Sequence, residues 1–60
     1  ASVYMETTER LLEDEAITAD ARGSLMLAAH LARRTHCDNT RAWTWRYGLD
    51  VAYATMAGDS

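Results

Sequence analysis

The segment RAWTWRYGLDVAY, residues 41–53, decides the fold of this 60-residue chain, because it holds both tryptophans and two of the three tyrosines. From Trp43 to Val51 apolar and polar residues alternate strictly, which is typical of a strand. A lone strand would have no partner in a chain whose remainder has helical spacing, so it would have to pair across a dimer. The flanks favour a helix, since polar capping residues precede the segment, AYATMAG follows at residues 52–58, and no proline interrupts it. We therefore predict an all-α fold of three helices, with the strand as the alternative.

As a helix, this segment carries two apolar stripes. The core stripe consists of Ala42, Trp45, Leu49, Ala52, Tyr53 and Met56, and the aromatic stripe consists of Trp43, Tyr47, Val51 and Ala54. The core stripe has the spacing that suits the interior of a three-helix bundle. The aromatic stripe lies about 120° to 200° away around the axis, and two short partner helices rarely cover both.

The aromatic stripe predicts the function. Tryptophan, tyrosine and arginine are the residues that most often dominate binding energy at protein interfaces, and an exposed apolar patch usually marks a contact surface. Self-association is the commonest such contact, and it would supplement the small core of a 60-residue chain. The alternative is that Trp43 and Tyr47 fold back under a loop or the N-terminus and complete the core.

The first helix is predicted to be amphipathic, with an acidic outer face that includes Glu6, Glu9 and Glu13. Its inner face is predicted to hold Tyr4, Met5, Leu11, Leu12, Ala16 and Ala19. Two boundaries with the second helix are open. Thr18 is a suitable N-cap, or the first helix runs to Gly23 and the second starts at Ser24. We prefer the break near Gly23.

The second helix is predicted to bury one broad arc and to expose the other. The buried arc comprises Leu25, Leu27, Ala28, Ala29, Leu31 and Ala32, and the exposed arc comprises Met26, His30, Arg33 and Arg34. Asp38 or Asn39 is expected to cap the third helix and Gly58 to close it.

Charge is distributed unevenly along the chain. Residues 1–20 have a net charge of −5, whereas residues 21–60, which include Asp59, have +2. This asymmetry suggests a molecule that packs head against tail with a copy of itself. The acidic first helix is also expected to engage a basic surface of a protein partner or to imitate nucleic acid.

A rival function comes from residues 31–48, LARRTHCDNTRAWTWRYG, which resemble a helix-turn-helix motif in the spacing of small, apolar and capping residues. The sequence departs from the motif at His36, where glycine is usual, and at Thr35, where an apolar residue is usual. The resemblance implies a DNA-binding regulator. Its contact residues would be Asn39, Thr40, Arg41, Thr44 and Arg46. The net charge of −3 opposes phosphate binding, so this is the alternative.

Catalysis has the least support. The adjacent residues His36, Cys37 and Asp38 project in different directions and favour a turn over a catalytic triad, and the histidines form no repeated metal-binding spacing. We expect a non-catalytic module with no cofactor, no metal and no small-molecule substrate. The longest apolar run, residues 25–29, falls far short of the roughly 18 residues of a membrane span, and no signal peptide is visible. A cytoplasmic protein that does not bind membranes is expected.

Overall fold

The computed structural model describes residues 3–58, which form three helices: α1 at Val3–Glu13, α2 at Ala19–Arg34 and α3 at Asp38–Gly58. The predicted all-α three-helix fold is confirmed, and the strand alternative is wrong because residues 43–51 lie inside α3. The predicted single domain covers residues 1–60, so its first two and last two residues lie outside the described ones. Asp59, which entered the charge balance, is among them.

The boundary between α1 and α2 lies at Thr18, so the preferred break near Gly23 is wrong. Thr18 has an extended backbone, and its hydroxyl oxygen accepts a hydrogen bond from the Ala21 N–H at 3.2 Å. Asp20 adds a favourable negative charge to the first turn of α2. Together the cap and this charge offset the cost of about 1 kcal/mol for glycine inside a helix. Gly23 therefore lies exposed within α2.

The connection from α1 to α2 is a short turn with its own hydrogen bonds. The Asp14 carboxylate accepts a hydrogen bond from the Ala16 N–H at 2.9 Å, and Ile17 then inserts into the core. Ala16 and Ala19 were predicted on the inner face of the first helix. Both are exposed, because α1 has already ended at Glu13.

The helices α2 and α3 pack against each other along their length as an antiparallel hairpin. Near the turn, Ala29 and Ala32 share a core cluster with Trp45. At the far end, Ala21 packs in a second cluster with Ala52. Because these contacts continue to the end of the hairpin that is far from the turn, the two helices stay close together along their whole shared length.

Small residues set the distance between these two helices. A Cβ atom added to Gly48 would lie 2.3 Å from the Cβ of Ala28, well inside the contact distance of two carbon atoms. Gly48 and Ala28 are both buried. The absence of a side chain at Gly48 therefore allows α2 and α3 to approach this closely.

The first helix covers one side of the hairpin. Met5 packs against the cluster near the turn, and Leu11 and Leu12 pack against the cluster at the far end, so α1 runs antiparallel to α2. Thr8 is fully buried, and its hydroxyl donates to the Tyr4 carbonyl oxygen at 2.8 Å. A small side chain with an internally satisfied hydroxyl lets α1 lie close to its neighbours.

The core stripe of α3 is confirmed at Trp45, Leu49 and Ala52, which are buried. Tyr53, which was assigned to the same stripe, is 49% exposed, so that assignment is wrong. Tyr53 is turned about 100° from Ala52 around the helix axis, past the strip that α1 covers. Gly58 is the last residue of α3, as predicted.

Candidate protein interface

An apolar groove lies between α2 and α3. Its volume is about 140 Å³ and it is open to solvent. Its main lining residues are Leu27, Ala28, Leu31, Tyr47, Gly48 and Val51. We call these residues, together with the adjoining Trp43, the open face. The side chains of α1 pack against two core clusters. Neither cluster contains the large residues of the open face, which are Leu27, Leu31, Trp43, Tyr47 and Val51. The open face is thus a second apolar surface, which residues 3–58 leave uncovered.

Four large side chains of the open face are each at least half exposed to solvent. The exposed fractions are 61% for Leu27, 50% for Leu31, 62% for Trp43 and 56% for Tyr47. The Trp43 and Tyr47 rings stack on each other with centroids 5.3 Å apart and an interplanar angle of 16°. In this chain the two aromatic residues therefore do not complete the core, but form one flat surface beside the groove.

Leu27 and Leu31 were predicted to be buried, and that prediction is wrong. The buried strip of α2 consists of Ala21, Leu25, Ala28, Ala29 and Ala32. Leu27 is turned about 100° from Ala28, away from α1, because the contact of Ala28 with Gly48 fixes how α2 is rotated against α3. Sequence reasoning missed that an alanine and a glycine, rather than the leucines, mark the helix crossing.

The remaining predicted interface residues divide between two surfaces. Val51 is partly buried in the groove, and Ala54 is exposed on the same stripe of α3. Glu6, Glu9 and Glu13 are all exposed on α1. Since α1 covers the other side of the hairpin, the structure does not bring these carboxylates together with the aromatic stripe.

The predicted DNA-contacting residues begin at the start of α3. Asn39 and Thr40 are exposed and line a shallow depression with Trp43. The Thr44 hydroxyl donates to the Thr40 carbonyl oxygen at 2.7 Å, and Thr44 faces the groove. The helix itself therefore already uses the hydroxyl hydrogen of Thr44.

The two arginines of the DNA-binding alternative each have a carboxylate partner on the same helix. Arg41 pairs with Asp38, and the Nε of Arg46 lies 3.9 Å from a carboxylate oxygen of Asp50. These pairs partly neutralise the cations that phosphate contacts would need. Exposed pairs of this kind are weak, so they reduce the local positive charge without removing it.

Cys37 occupies the N-cap position of α3, where Asp38 or Asn39 had been expected. The first intrahelical hydrogen bond runs from the Arg41 N–H to the Cys37 carbonyl oxygen at 2.9 Å, while Asp38 already belongs to the helix. Hydrogen bonds to the exposed sulfur from the Thr40 N–H, the Thr40 hydroxyl and the Asn39 N–H lower the pKa of the Cys37 thiol below its ordinary value. Sequence rules miss this cap because cysteine is not among the preferred capping residues.

Within residues 3–58, no three His, Cys, Asp or Glu side chains come together in a way that could hold a metal ion. None of the helices in this range combines the length and the apolar character needed to cross a membrane. Comparison with protein-family models, with curated protein sequences and with solved structures found no match to this chain.

Proposed function

We propose that this chain is a non-catalytic protein-interaction and regulatory module that binds a protein, itself included, through the open face. The observation that supports this most directly is the joint exposure of Leu27, Leu31, Trp43 and Tyr47 around one continuous groove. Contiguous apolar surface with a stacked tryptophan and tyrosine is the composition found at the energetic centre of protein interfaces.

The size of the exposed surface supports the same proposal. Taking on the order of 200 Å² for a large apolar side chain, the exposed fractions of these four residues leave about 450 Å² uncovered. This is within the range of roughly 300–600 Å² for the largest patch on a typical monomer, a patch that is often functional.

The acidic outer face of α1 is proposed as a second contact, directed at a basic surface of a larger partner. Glu6, Glu9 and Glu13 are exposed and lie on the opposite side of the molecule from the groove. Both surfaces are therefore accessible at the same time. Reversing the three glutamates to arginine should abolish capture of such a partner while the helical circular dichroism signal stays intact; unchanged capture would remove this part of the proposal.

The main test places a photo-crosslinking amino acid on the open face inside the cells that naturally make the protein. Benzoylphenylalanine replaces Tyr47 in one variant and Met26 in a matched control, because Met26 is similarly exposed at 58% but lies on the other side of α2. We expect a crosslinked protein product at position 47 and none at position 26. Equal yields at the two positions, or no product at position 47, would refute the proposed function.

The cellular setting and the chemistry follow from the same proposal. We place the protein in the cytoplasm and assign it no cofactor, membrane contact or small-molecule substrate, since the proposed binding surface is apolar and suited to protein. Cys37 needs no oxidising compartment, because it is the sole cysteine of the chain and has no internal partner for a disulfide.

DNA binding is the second candidate, and the grouping of Asn39, Thr40 and Trp43 around one exposed depression favours it. Retention on heparin at low salt discriminates between the two functions. A DNA-binding chain should be retained and should elute steeply as salt rises, and Arg46→Gln should weaken retention. A protein-interaction module should pass through at every salt concentration.

A further inference from the structure

The charges at the borders of the open face are placed symmetrically along the hairpin. On α2, Asp20 and Arg34 are exposed and continue the row of Ser24, Leu27 and Leu31 at its two ends, at helical spacing. Their midpoint in the sequence is Leu27. One end of the α2 row is therefore negative and the other is positive.

On α3, a second pair of opposite charges flanks the aromatic residues. Arg46 and Asp50 line a shallow pocket with Trp43 and Tyr47, and their midpoint in the sequence is Gly48. Gly48 meets Ala28 at the helix crossing. The midpoints on α2 and α3 therefore lie at nearly the same height, within about 1.5 Å, which is the rise of one helical residue.

We propose that the occupant of the open face is a second copy of this chain in an antiparallel arrangement, which names the partner for the proposed function and rests on it. The twofold axis lies in the plane of the face, perpendicular to the helices, at the height of the Ala28 and Gly48 crossing. It brings α2 over α2 and α3 over α3 of the second copy, in opposite directions. Asp20 then meets Arg34 of the second copy, and Arg46 comes to the height of Asp50 of the second copy.

The sizes of the side chains fit the same axis. Leu31 comes opposite Ser24 of the second copy, and Trp43 comes opposite Ala54. The bulky end of one open face thus meets the small residues at the other end of its copy. Leu27 and Tyr47, which lie near the axis, meet their own counterparts. An isologous contact needs this kind of self-complementarity, whereas a binding site for an unrelated protein does not.

A parallel arrangement lacks these matches. A twofold axis along the helices would bring α2 over α3 of the second copy. The end of one hairpin that carries the α2–α3 turn would then lie over the same end of the other hairpin. Asp20 would then face the last turn of α3, which contains no basic residue. Only the antiparallel axis gives both charge rows opposite partners.

The area available is sufficient for a weak, reversible dimer. The exposed surface of four side chains contributes about 450 Å² per chain, so two copies bury about 900 Å² from these residues alone. The four are Leu27, Leu31, Trp43 and Tyr47. Ser24, Val51, Ala54 and the bordering charges bring the total toward the roughly 1,200 Å² at which stable interfaces begin. The dimer also relieves a small core, in which alanine supplies five of the nine buried apolar residues.

Charge reversal tests the axis directly, with sedimentation equilibrium as the readout. Asp20→Arg places two cations opposite each other twice in the dimer, and Arg34→Asp does the same with two anions. Each single variant should raise the dimer dissociation constant by about tenfold or more. The double variant Asp20→Arg/Arg34→Asp should restore dimerisation.

Mixing the two single variants is the sharper measurement. A chain with arginine at both positions is complementary to a chain with aspartate at both, so the mixture should form a heterodimer at concentrations where each variant alone is mostly monomeric. Arg10→Glu on the exposed side of α1 is the matched charge-reversal control and should leave dimerisation unchanged. Far-UV circular dichroism of every variant separates lost association from lost folding.

Two results would overturn the inference. One is a wild-type chain that stays monomeric up to several hundred micromolar, a concentration range in which a weak interface of this size should associate. The other is a dimer that the single reversals do not weaken or that the mixture does not restore. In either case, a crosslinked protein product at position 47, whether with a different protein or with a second copy in another arrangement, would leave the proposed function standing, and its absence would remove the function as well.

Discussion

Gly48 is the position at which one added methyl group should disturb the whole fold. In Gly48→Ala the new Cβ would lie 2.3 Å from the Ala28 Cβ, and two carbon atoms need about 3.5–4.0 Å. The helices α2 and α3 would have to separate by about 1.5 Å, because the clashing atom is a short side chain fixed to the backbone. This separation would loosen the alanine contacts along the hairpin, among them the one between Ala21 and Ala52.

Two opposing free energies decide the result. Overpacking of this kind typically costs about 1–3 kcal/mol. Alanine in place of glycine inside a helix returns about 1 kcal/mol. Since neighbouring alanines have no flexible end that could absorb the strain, we take an overpacking cost of about 2–3 kcal/mol and expect Gly48→Ala to lower the free energy of unfolding by about 1–2 kcal/mol. For a domain of this size that corresponds to a fall in the melting temperature of roughly 4–8 °C per kcal/mol.

Gly23→Ala is the matched control, since an added Cβ there meets nothing within 4 Å and Gly23 lies exposed inside α2. It should raise stability by up to about 1 kcal/mol, so the two glycine variants should shift in opposite directions. The double variant Ala28→Gly/Gly48→Ala should lose less than the sum of its single changes, because glycine at 28 makes room for the new methyl group.

Urea unfolding followed by circular dichroism at 222 nm measures these differences, at one fixed protein concentration because association would add to stability. If Gly48→Ala proved as stable as Gly23→Ala, α2 and α3 would not cross at Ala28. The orientation of the open face would then be wrong as well.

Three further predictions follow from single contacts. The pH at which iodoacetamide alkylates Cys37 at half its maximal rate should lie below that of the urea-unfolded chain, and Thr40→Val should raise it partway, since the Thr40 N–H remains as a donor; identical profiles would contradict the cap. Thr18→Ala should cost about 1 kcal/mol in urea unfolding by removing the N-cap of α2, and no loss would restore a boundary near Gly23. In the same assay on the monomer, Leu25→Ala should cost about 2–5 kcal/mol and Leu31→Ala less than 1 kcal/mol; equal losses would mean that Leu31 is buried.

The sequence predicted the helical class and the buried stripe of α3 because both depend on periodicity. Trp45 and Leu49 repeat at helical spacing, and no other part of the chain offered a strand for this segment to pair with. The spacing of the aromatic stripe also separated Trp43 and Tyr47 from the core. These features require only the helix repeat and the size of the chain.

The rotation of α2 could not be predicted from its own periodicity. Leu27 and Leu31 are more apolar than the alanines beside them, so an amphipathic pattern assigns them to the core. Their exposure depends on a contact between Ala28 and Gly48, which are 20 positions apart and lie on different helices. A pattern within one helix contains no information about such a contact. The sequence therefore predicted only the α3 side of the open face and missed its α2 side, Leu27 and Leu31.

The predicted starting points of α2 and α3 were wrong for a local reason. Gly23, followed by Ser24 as a possible start of the second helix, suggested a break, but the hydrogen bond at Thr18 and the burial of Ile17 together outweigh the modest helix penalty of Gly23. At Cys37 the sulfur accepts the hydrogen bonds of the first helical turn, which a side-chain oxygen accepts in the preferred N-cap residues. In both cases the deciding interaction is a side-chain contact to the backbone that composition does not reveal.

The measurement that tests the antiparallel dimer most directly is the distance between nitroxide labels on Cys37, the sole cysteine, in the wild-type chain by double electron–electron resonance. Cys37 lies 11 positions from Gly48, so the twofold axis at the helix crossing should separate the two labels by about 33 Å along the helices. A distribution centred near this distance is the predicted result. A parallel dimer would bring the labels to within about two helix diameters, roughly 20 Å, and a monomer would give no dipolar modulation. Either outcome would contradict the proposal that the open face binds a second copy of this chain face to face in the antiparallel arrangement.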